Sequence, residues 1–402
     1  MYRAKLLINI FVYFLLFFLS VQRVCAYEPK LLSALTDKIK KGQILDVYRE
    51  LDEIDPINQE VDIFLLKFNL ALDFHVVQVQ YEKFGFINLE DQQSIEEVRG
   101  KPGTYSLFAL NIASILDSLI LQHPEDPRLY KAQSDYYYEC FLNYDKDFAL
   151  SIDDLKQRLE LSSQKAMALG SADDETFFAL GFLALEKEQY HDALKMFKTS
   201  MLLNSQNYLL YNHLAYAEYG LNHFDAAIAY AKKAVDKISD VDQKANSYRI
   251  LSFSYDSKNY TDSAIYFIEE GILLQSSLGP ELLRDYLYLA VREQLPVSQL
   301  LIKEIISLNP ESPEVYNAVI NAYHQEGGDF MQVYKVLEDM EAVHAKNDRV
   351  MSNVYFYQGQ ILYDNAIDDA KDKLRKSRAK FLNYFPPTHE VFQVIERYLE
   401  GP

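Results

Sequence analysis

Between residues 174 and 278 one short pattern is written three times, and it constrains the fold more than any other feature of the chain. It reads Phe177-x2-Leu180-Gly181 leading to Ala193-x3-Phe197, then Tyr211-x2-Leu214-Ala215 leading to Ala227-x3-Ala231. The third copy is Tyr248-x2-Leu251-Ser252-x2-Tyr255, leading to Ala264-x3-Ile268. Leu180, Leu214 and Leu251 lie 34 and then 37 residues apart, and Ala193, Ala227 and Ala264 keep both intervals. Each copy has room for two helices of three to four turns and a short connection. Gly181, Ala215 and Ser252 are small where the first helix (A) must approach the second (B), and the three alanines match them on helix B. Phe177, Tyr211 and Tyr248 are placed to fill the gaps that this approach leaves.

One such hairpin cannot bury its apolar face alone, so neighbours must stack and share a continuous core. Composition agrees. The chain is 49% hydrophobic, and its 13 glycines and 12 prolines in 402 residues suit stacked helices better than a turn-rich β protein. A two-helix unit of this length, with an early aromatic and a small residue in each helix, resembles the tetratricopeptide repeat (TPR). The resemblance implies an all-α solenoid of stacked antiparallel helix pairs that serves as a binding scaffold. The chain departs from the family pattern where Ser205 and Ser239 replace the proline after helix B, and where Ala184 and Glu218 replace the second aromatic of helix A. Residues 242–244 are read as a lengthened loop before the third unit. Gly181→Leu is expected to force a hairpin apart, and Gly181→Ala to be mild or even neutral because Ala215 fills the equivalent slot.

Arg3 and Lys5 precede an apolar run from Leu6 to Leu19, followed by Val24-Cys25-Ala26 before Tyr27. A basic start, a short apolar stretch and a small-residue ending read as a secretory signal peptide, residues 1–26. Cys25 offers a lipoprotein site only weakly, because Arg23 and Val24 stand where small neutral residues are wanted. Residues 1–26 carry three basic residues (Arg3, Lys5, Arg23) and no acidic one, so their removal takes the formal charge from −19 to −22. That balance opposes nucleic acid or an anionic membrane as main partner. Cys140 is then the remaining cysteine, so the mature chain has no intramolecular disulfide and depends on apolar burial. The location implied is secreted, most simply periplasmic. An Asn259-Tyr-Thr261 sequon is the single hint of a eukaryotic secretory origin.

Along the chain, residues 27–103 form an N-terminal helical segment. It opens with a helix pair over 30–55 and continues with a long apolar helix from Val61 to about Val79. The alternation Val77-Gln-Val-Gln-Tyr81 has a strand's period but is assigned to the end of that helix, and residues 88–104 to a loop. Residues 104–278 hold the solenoid core, its clearest repeats at 174–207, 208–241 and 245–278. A helix B pattern is expected over Leu107–Leu121. Pro124 and Pro127 then introduce Tyr130 as Pro310 and Pro313 introduce Tyr316, so two diverged repeats start there. The 47 residues from Tyr130 to Phe177 imply an insertion, placed at 143–154. Residues 279–402 hold further diverged repeats, with Tyr355 and Gly359 opening one helix, and a closing cap over Val391–Leu399.

No catalytic, metal-binding or phosphate-binding motif is present, and no cofactor is implied. Isolated His213 and His223 read as solvent-facing, and Cys140 as a structural thiol. The TPR resemblance implies that helix A residues just off the packing positions line a concave face. They are Glu175, Phe178, Phe182 and Leu185; Leu209, Asn212, Tyr216 and Tyr219; then Asn246, Arg249, Phe253 and Asp256. Phe178, Phe182, Asn212, Tyr216, Tyr219, Arg249 and Phe253 are the candidate partner-binding residues, suited to an apolar or aromatic peptide. Cover by a neighbouring helix of the same chain is the structural alternative. A clamp for an acidic peptide terminus is excluded, because these positions are mainly aromatic. The basic stretch 370–380 reads as a solvated helix face or a dock for an anionic partner. Three functions fit: a non-enzymatic scaffold organising an envelope complex, an accessory subunit of a polysaccharide or pilus export machine, and an enzyme with an unrecognised site in 27–103.

Overall fold

A computed structural model describes residues 29–90, 92–144 and 150–401. The signal peptide assigned to 1–26 lies outside the described residues. The chain divides into two compact units, residues 1–206 and 207–402, with the division falling between the first and second clear repeats. The fold is all-α and TPR-like, with one small three-stranded sheet set into the first unit.

In the first unit, α1 (Pro29–Lys40) and α2 (Ile44–Ile54) form the expected pair. They are separated at Gly42, whose φ of +73° suits glycine and whose missing side chain admits Leu89. The Leu89 N–H donates to the Gly42 carbonyl at 2.7 Å. Helix α2 buries Ile44, Val47, Tyr48 and Leu51 at the i, i+3, i+4, i+7 spacing of one face. Helix α3 (Val61–Asp73) is apolar nearly all round and correspondingly buried. Its Lys67 ammonium, fully enclosed, donates to Asp52 Oδ1 (2.9 Å), the Asp55 carbonyl (2.6 Å) and Asn58 Oδ1 (2.9 Å).

Two expectations fail after α3. The helix stops at Asp73, and Val77–Val79 is strand β1, paired antiparallel with β2 (Lys83–Phe86). Gln80 (φ +49°) and Tyr81 (φ +55°) are both left-handed, and the Glu82 N–H donates to the Val79 carbonyl at 2.9 Å. This is a tight hairpin turn whose twist matches the strands, and no helix continues through two such residues. The start of the expected helix at 107–121 is likewise strand β3 (Ser106–Ala109), paired with β2. A one-turn α4 (Ile95–Val98) interrupts the intervening loop, and α5 (Ile112–Gln122) begins only after Asn111, whose side chain accepts from the Ser114 N–H. The sheet's Phe84 and Phe86 are fully buried, with Phe86 stacked on Tyr48 at 4.4 Å.

The repeats proper begin with α6 (Pro127–Leu142) and α7 (Ile152–Ala168). The extra length expected at 143–154 is shared between that connection and helices longer than those of the next hairpin, α8 (Asp174–Glu186) and α9 (Tyr190–Leu203). Ser134 stands four residues after Tyr130, as Gly181 does after Phe177, and its hydroxyl meets that of Ser163 on α7 at 2.7 Å. A β-carbon added at Gly181 would lie 2.7 Å from the ring of Phe197, a fully buried residue. The small-residue contact is therefore real. Of the mild or neutral outcomes expected for Gly181→Ala, this contact favours the mild one, because the residue opposite is Phe197 here and Ala231 in the repeat containing Ala215.

The second unit carries α10 (Leu210–Gly220) with α11 (Phe224–Lys237), α12 (Val241–Asp256) with α13 (Thr261–Leu273), and α14 (Gly279–Arg292) with α15 (Ser298–Leu308). These are followed by α16 (Pro313–Glu326) with α17 (Phe330–His344), α18 (Asp348–Asp364) with α19 (Ala370–Phe381), and α20 (Glu390–Glu400). Residues 242–244 do not lengthen a loop. Asp240 caps α12 by accepting from the Gln243 N–H, so the three extra residues become its first turn. The Ser252 hydroxyl donates to the Ala264 carbonyl at 2.8 Å, which marks the A–B approach of this repeat. Tyr316 donates to the Pro310 carbonyl at 2.9 Å, as Tyr130 in the first unit donates to that of Pro124 at 3.0 Å. Gly359 on α18 admits Leu374 of α19, and α20 closes the unit by burying Phe392 and Ile395.

Candidate partner-binding face

On α8, Phe178 and Phe182 are one turn apart and half-buried. The Phe178 ring meets Tyr138 of α6 at 6.3 Å and Phe197 at 5.7 Å, and Phe182 meets Phe141 of α6 at 5.6 Å. These rings thus bridge successive A helices of the first unit while keeping part of their surface in solvent. In the second unit Tyr216 on α10 is 45% exposed. Tyr219 is half-buried against Phe224 (5.8 Å) and Phe253 (6.2 Å), and the Arg249 guanidinium lies 5.2 Å over the Phe253 ring.

The two polar candidates are committed elsewhere. Asn212 is buried, donates to the Gln243 carbonyl at 2.8 Å and accepts from the Ser247 hydroxyl, so it joins α10 to α12 and offers nothing to a ligand. Arg249 forms a two-pronged ion pair with Asp285 (2.5 and 3.3 Å), joining α12 to α14. Arg292 and Asp256 make a second such pair between the same helices.

Apart from Glu175, the carboxylates grouped on α3, α6 and α8 of the first unit lie outside the concave positions read from the sequence. The spacing Lys131-x3-Asp135-x3-Glu139 along one face of α6 is their signal in the sequence. Lys131 pairs with Asp135 and, at 2.9 Å, with Asp173. Burial disfavours the Lys131 ammonium, but the two carboxylates outweigh it and hold the pKa above the ordinary lysine value. Asp135 is pushed up to about 6 by desolvation, against the pull of Lys131. Desolvation also raises Asp73, on α3, to about 6 and Glu175, on α8, to about 7, with Asp135 adding repulsion in both cases. Asp73 and Glu175 are open to water, so only one side of each is desolvated and solvent screens the rest.

A carboxyl whose native pKa is raised is destabilising when ionised. Its favourable share of stability is complete below the unfolded pKa near 4.3 and is lost as pH rises through about 7 for Glu175. Glu175→Gln is therefore expected to raise Tm at pH 8 by about 1–2 °C, and to give no advantage near pH 4. Thermal melts at the two pH values check this, and a gain of equal size at both contradicts it.

Other residues singled out in the sequence have quieter settings. His213 is half-buried, not solvent-facing, and desolvation pushes its pKa down to about 4. His223 is exposed, with Nδ1 2.9 Å from Glu218 Oε2. Cys140 is buried and its thiol is pushed up to about 12 by desolvation, which leaves no reactive thiolate near neutral pH. In α19, Lys373, Lys376, Arg378 and Lys380 pair with Glu341, Asp372, Glu396 and Asp348, so four of its six cations meet carboxylates of the same unit. A cavity among α1, α2 and α3 is lined by Leu35, Thr36, Ile39, Val47, Leu51, Leu66 and Leu70, none of which titrates. Among the described residues no cluster has the makings of a metal site, and no helix is long and apolar enough to cross a membrane.

No protein-family model matches the chain, and no curated protein matches it. Among solved structures it is similar to a tetratricopeptide repeat protein from Parabacteroides merdae, with 14% identity, 67% of this chain and 97% of that chain covered, and a TM-score of 0.39. It is also similar to the C-terminal part of a TPR repeat-containing protein from Cytophaga hutchinsonii (12% identity, 66% and 95% covered, TM-score 0.36). A third is pilF of Pseudomonas aeruginosa (10% identity, 66% and 98% covered, TM-score 0.33). The fold rests on the helical hairpins themselves.

Proposed function

We propose that the chain is a non-enzymatic scaffold that binds a protein or peptide partner through the helix A faces of its repeats. The observation that carries this reading is Tyr216, an aromatic 45% exposed at a helix A position that the packing of the hairpin does not use. Phe178, Phe182, Tyr219 and Phe253 support it as rings left half in solvent at the corresponding positions. Large rigid side chains of this kind supply binding energy at low entropy cost when a partner desolvates them. Asn212 is removed from the binding set, and Arg249 contributes its apolar stem and its stacking on Phe253 in preference to its paired charge. Partner capture should be lost on replacing Phe182 and Tyr216 by Ala while the fold survives.

Within the same reading, the scaffold works outside the cytoplasm and helps organise an envelope complex. The basic start, apolar run and Val24-Cys-Ala26 ending motivate that location. The exported chain is expected to begin at Tyr27. N-terminal sequencing that returned Met1, or a lipid on Cys25, would remove the location while leaving the binding face intact.

A further inference from the structure

The A helices of the two units bear similar rings but opposite charge economies. In the second unit the ionised groups on this face are matched across repeats, as Arg249 with Asp285 and Arg292 with Asp256. In the first unit Tyr138, in contact with Phe178, stands near Glu139 and Glu175, which form one group with Asp73, Asp135 and Asp173, while Phe141, in contact with Phe182, has the Lys156 ammonium 5.7 Å over its ring. Among the described residues, Lys131 and Arg99 are the cations that act on these five carboxylates. Lys131 pairs with Asp135 and Asp173, while Arg99, anchored by the backbone carbonyls of His75 (3.0 Å) and Asp73 (2.6 Å), acts on Asp73 and Glu139 through its charge without a direct ion pair. Among the described residues neither Asp73 nor Glu175 forms a direct ion pair; Arg99 acts on Asp73 and Lys131 on both from a distance, and Asp135 repels both.

We infer that the aromatic face of α6 and α8 takes an extended peptide segment in which a lysine or arginine stands next to an apolar side chain. This rests on the scaffold reading and names the partner's chemistry. The apolar side chain packs on Phe178 and Phe182. The cation sits among Asp135, Glu139 and Glu175 and over the rim of Tyr138, where ring faces and carboxylates attract it together. Acidic segments are repelled by the same groups, and neutral ones gain the apolar contact alone.

The test uses three fluorescein-labelled twelve-residue peptides, repeats of Lys-Phe-Ser, Gln-Phe-Ser and Glu-Phe-Ser, titrated with the full chain by fluorescence anisotropy. At pH 7.5 the Lys peptide should bind about tenfold more tightly than the Gln peptide, as one or two incompletely solvated charge contacts allow, and the Glu peptide most weakly. Glu175→Gln, alone and with Asp135→Asn, should erase most of that preference; in the double variant Lys131 keeps Asp173, and a thermal melt verifies the fold. Lowering the pH from 8 to 5 should erase it as well, since Asp73, Asp135 and Glu175 gain protons over that range while Lys131 stays charged. Phe182→Ala should weaken the Lys and Gln peptides alike. Equal affinity for these two peptides, a Lys preference untouched by the carboxylate variants, or no binding of any peptide at millimolar concentration overturns the inference. Equal affinity that still depends on Phe182 leaves the scaffold standing, whereas binding indifferent to Phe182→Ala counts against both.

Discussion

Gly181→Leu is expected to destabilise the protein by about 3 kcal/mol or more, the upper range for forcing methylenes into a packed core. A first added carbon would already stand 2.7 Å from the Phe197 ring, and that ring is fully buried. Gly181→Ala adds only that carbon. It gains about 1 kcal/mol of helix propensity, set against a clash of about 1–3 kcal/mol, so a net loss near 1 kcal/mol is expected. Phe197→Leu in the Gly181→Ala background should recover part of this loss, because it shortens the obstructing side chain. Chemical denaturation of the two single variants and the double variant checks the account through their non-additivity. If Gly181→Leu melted like wild type, the register of helix A against helix B would be wrong.

The register was legible because three repeats state it and because its cause is local: a small residue on helix A must face a small or yielding one on helix B. Where the same slot has a different neighbour, the argument from one repeat to the next fails. Ala215 tolerates its methyl opposite Ala231, and Gly181 has Phe197 instead. The sheet at 77–109 was missed for another reason. Its turn residues, Gln80 and Tyr81, are not the Asn or Gly that usually take left-handed conformations, so Val77–Tyr81 had only its alternation to mark it against a helical background. Residues 242–244 looked like loop because they were additional, but Asp240 could cap one more turn.

At the candidate face, the aromatic positions followed from the repeat period, since each is fixed by its offset from a packing residue. What a polar group there does depends on the next repeat. Gln243 and Ser247 occupy Asn212, and Asp285 occupies Arg249, through contacts 31 to 36 residues away in sequence. The carboxyls of Asp73, Asp135 and Glu175 are raised first by desolvation, which depends on how α3, α6 and α8 pack together. Pattern reading of one helix at a time does not reach such contacts.

Replacing Phe182 and Tyr216 together by Ala is expected to weaken partner binding by about 2–4 kcal/mol, the range of aromatic hot spots. Each ring is large and rigid, and each keeps surface in water that a partner would cover. The cost to folding should be smaller than the roughly 3–5 kcal/mol of a single buried aromatic. Most of that cost falls on Phe182, which packs against Phe141, and little on Tyr216, which is 45% exposed. The decisive measurement is therefore partner affinity and unfolding free energy determined side by side for wild type, Tyr216→Ala and the double variant, using a partner first captured by the wild-type chain. The scaffold account predicts a folded double variant whose affinity is lower by a factor of about 30 to 1,000, with Tyr216→Ala intermediate and as stable as wild type. A double variant that stays folded and binds its partner unchanged, or one that loses binding only because it unfolds, contradicts it.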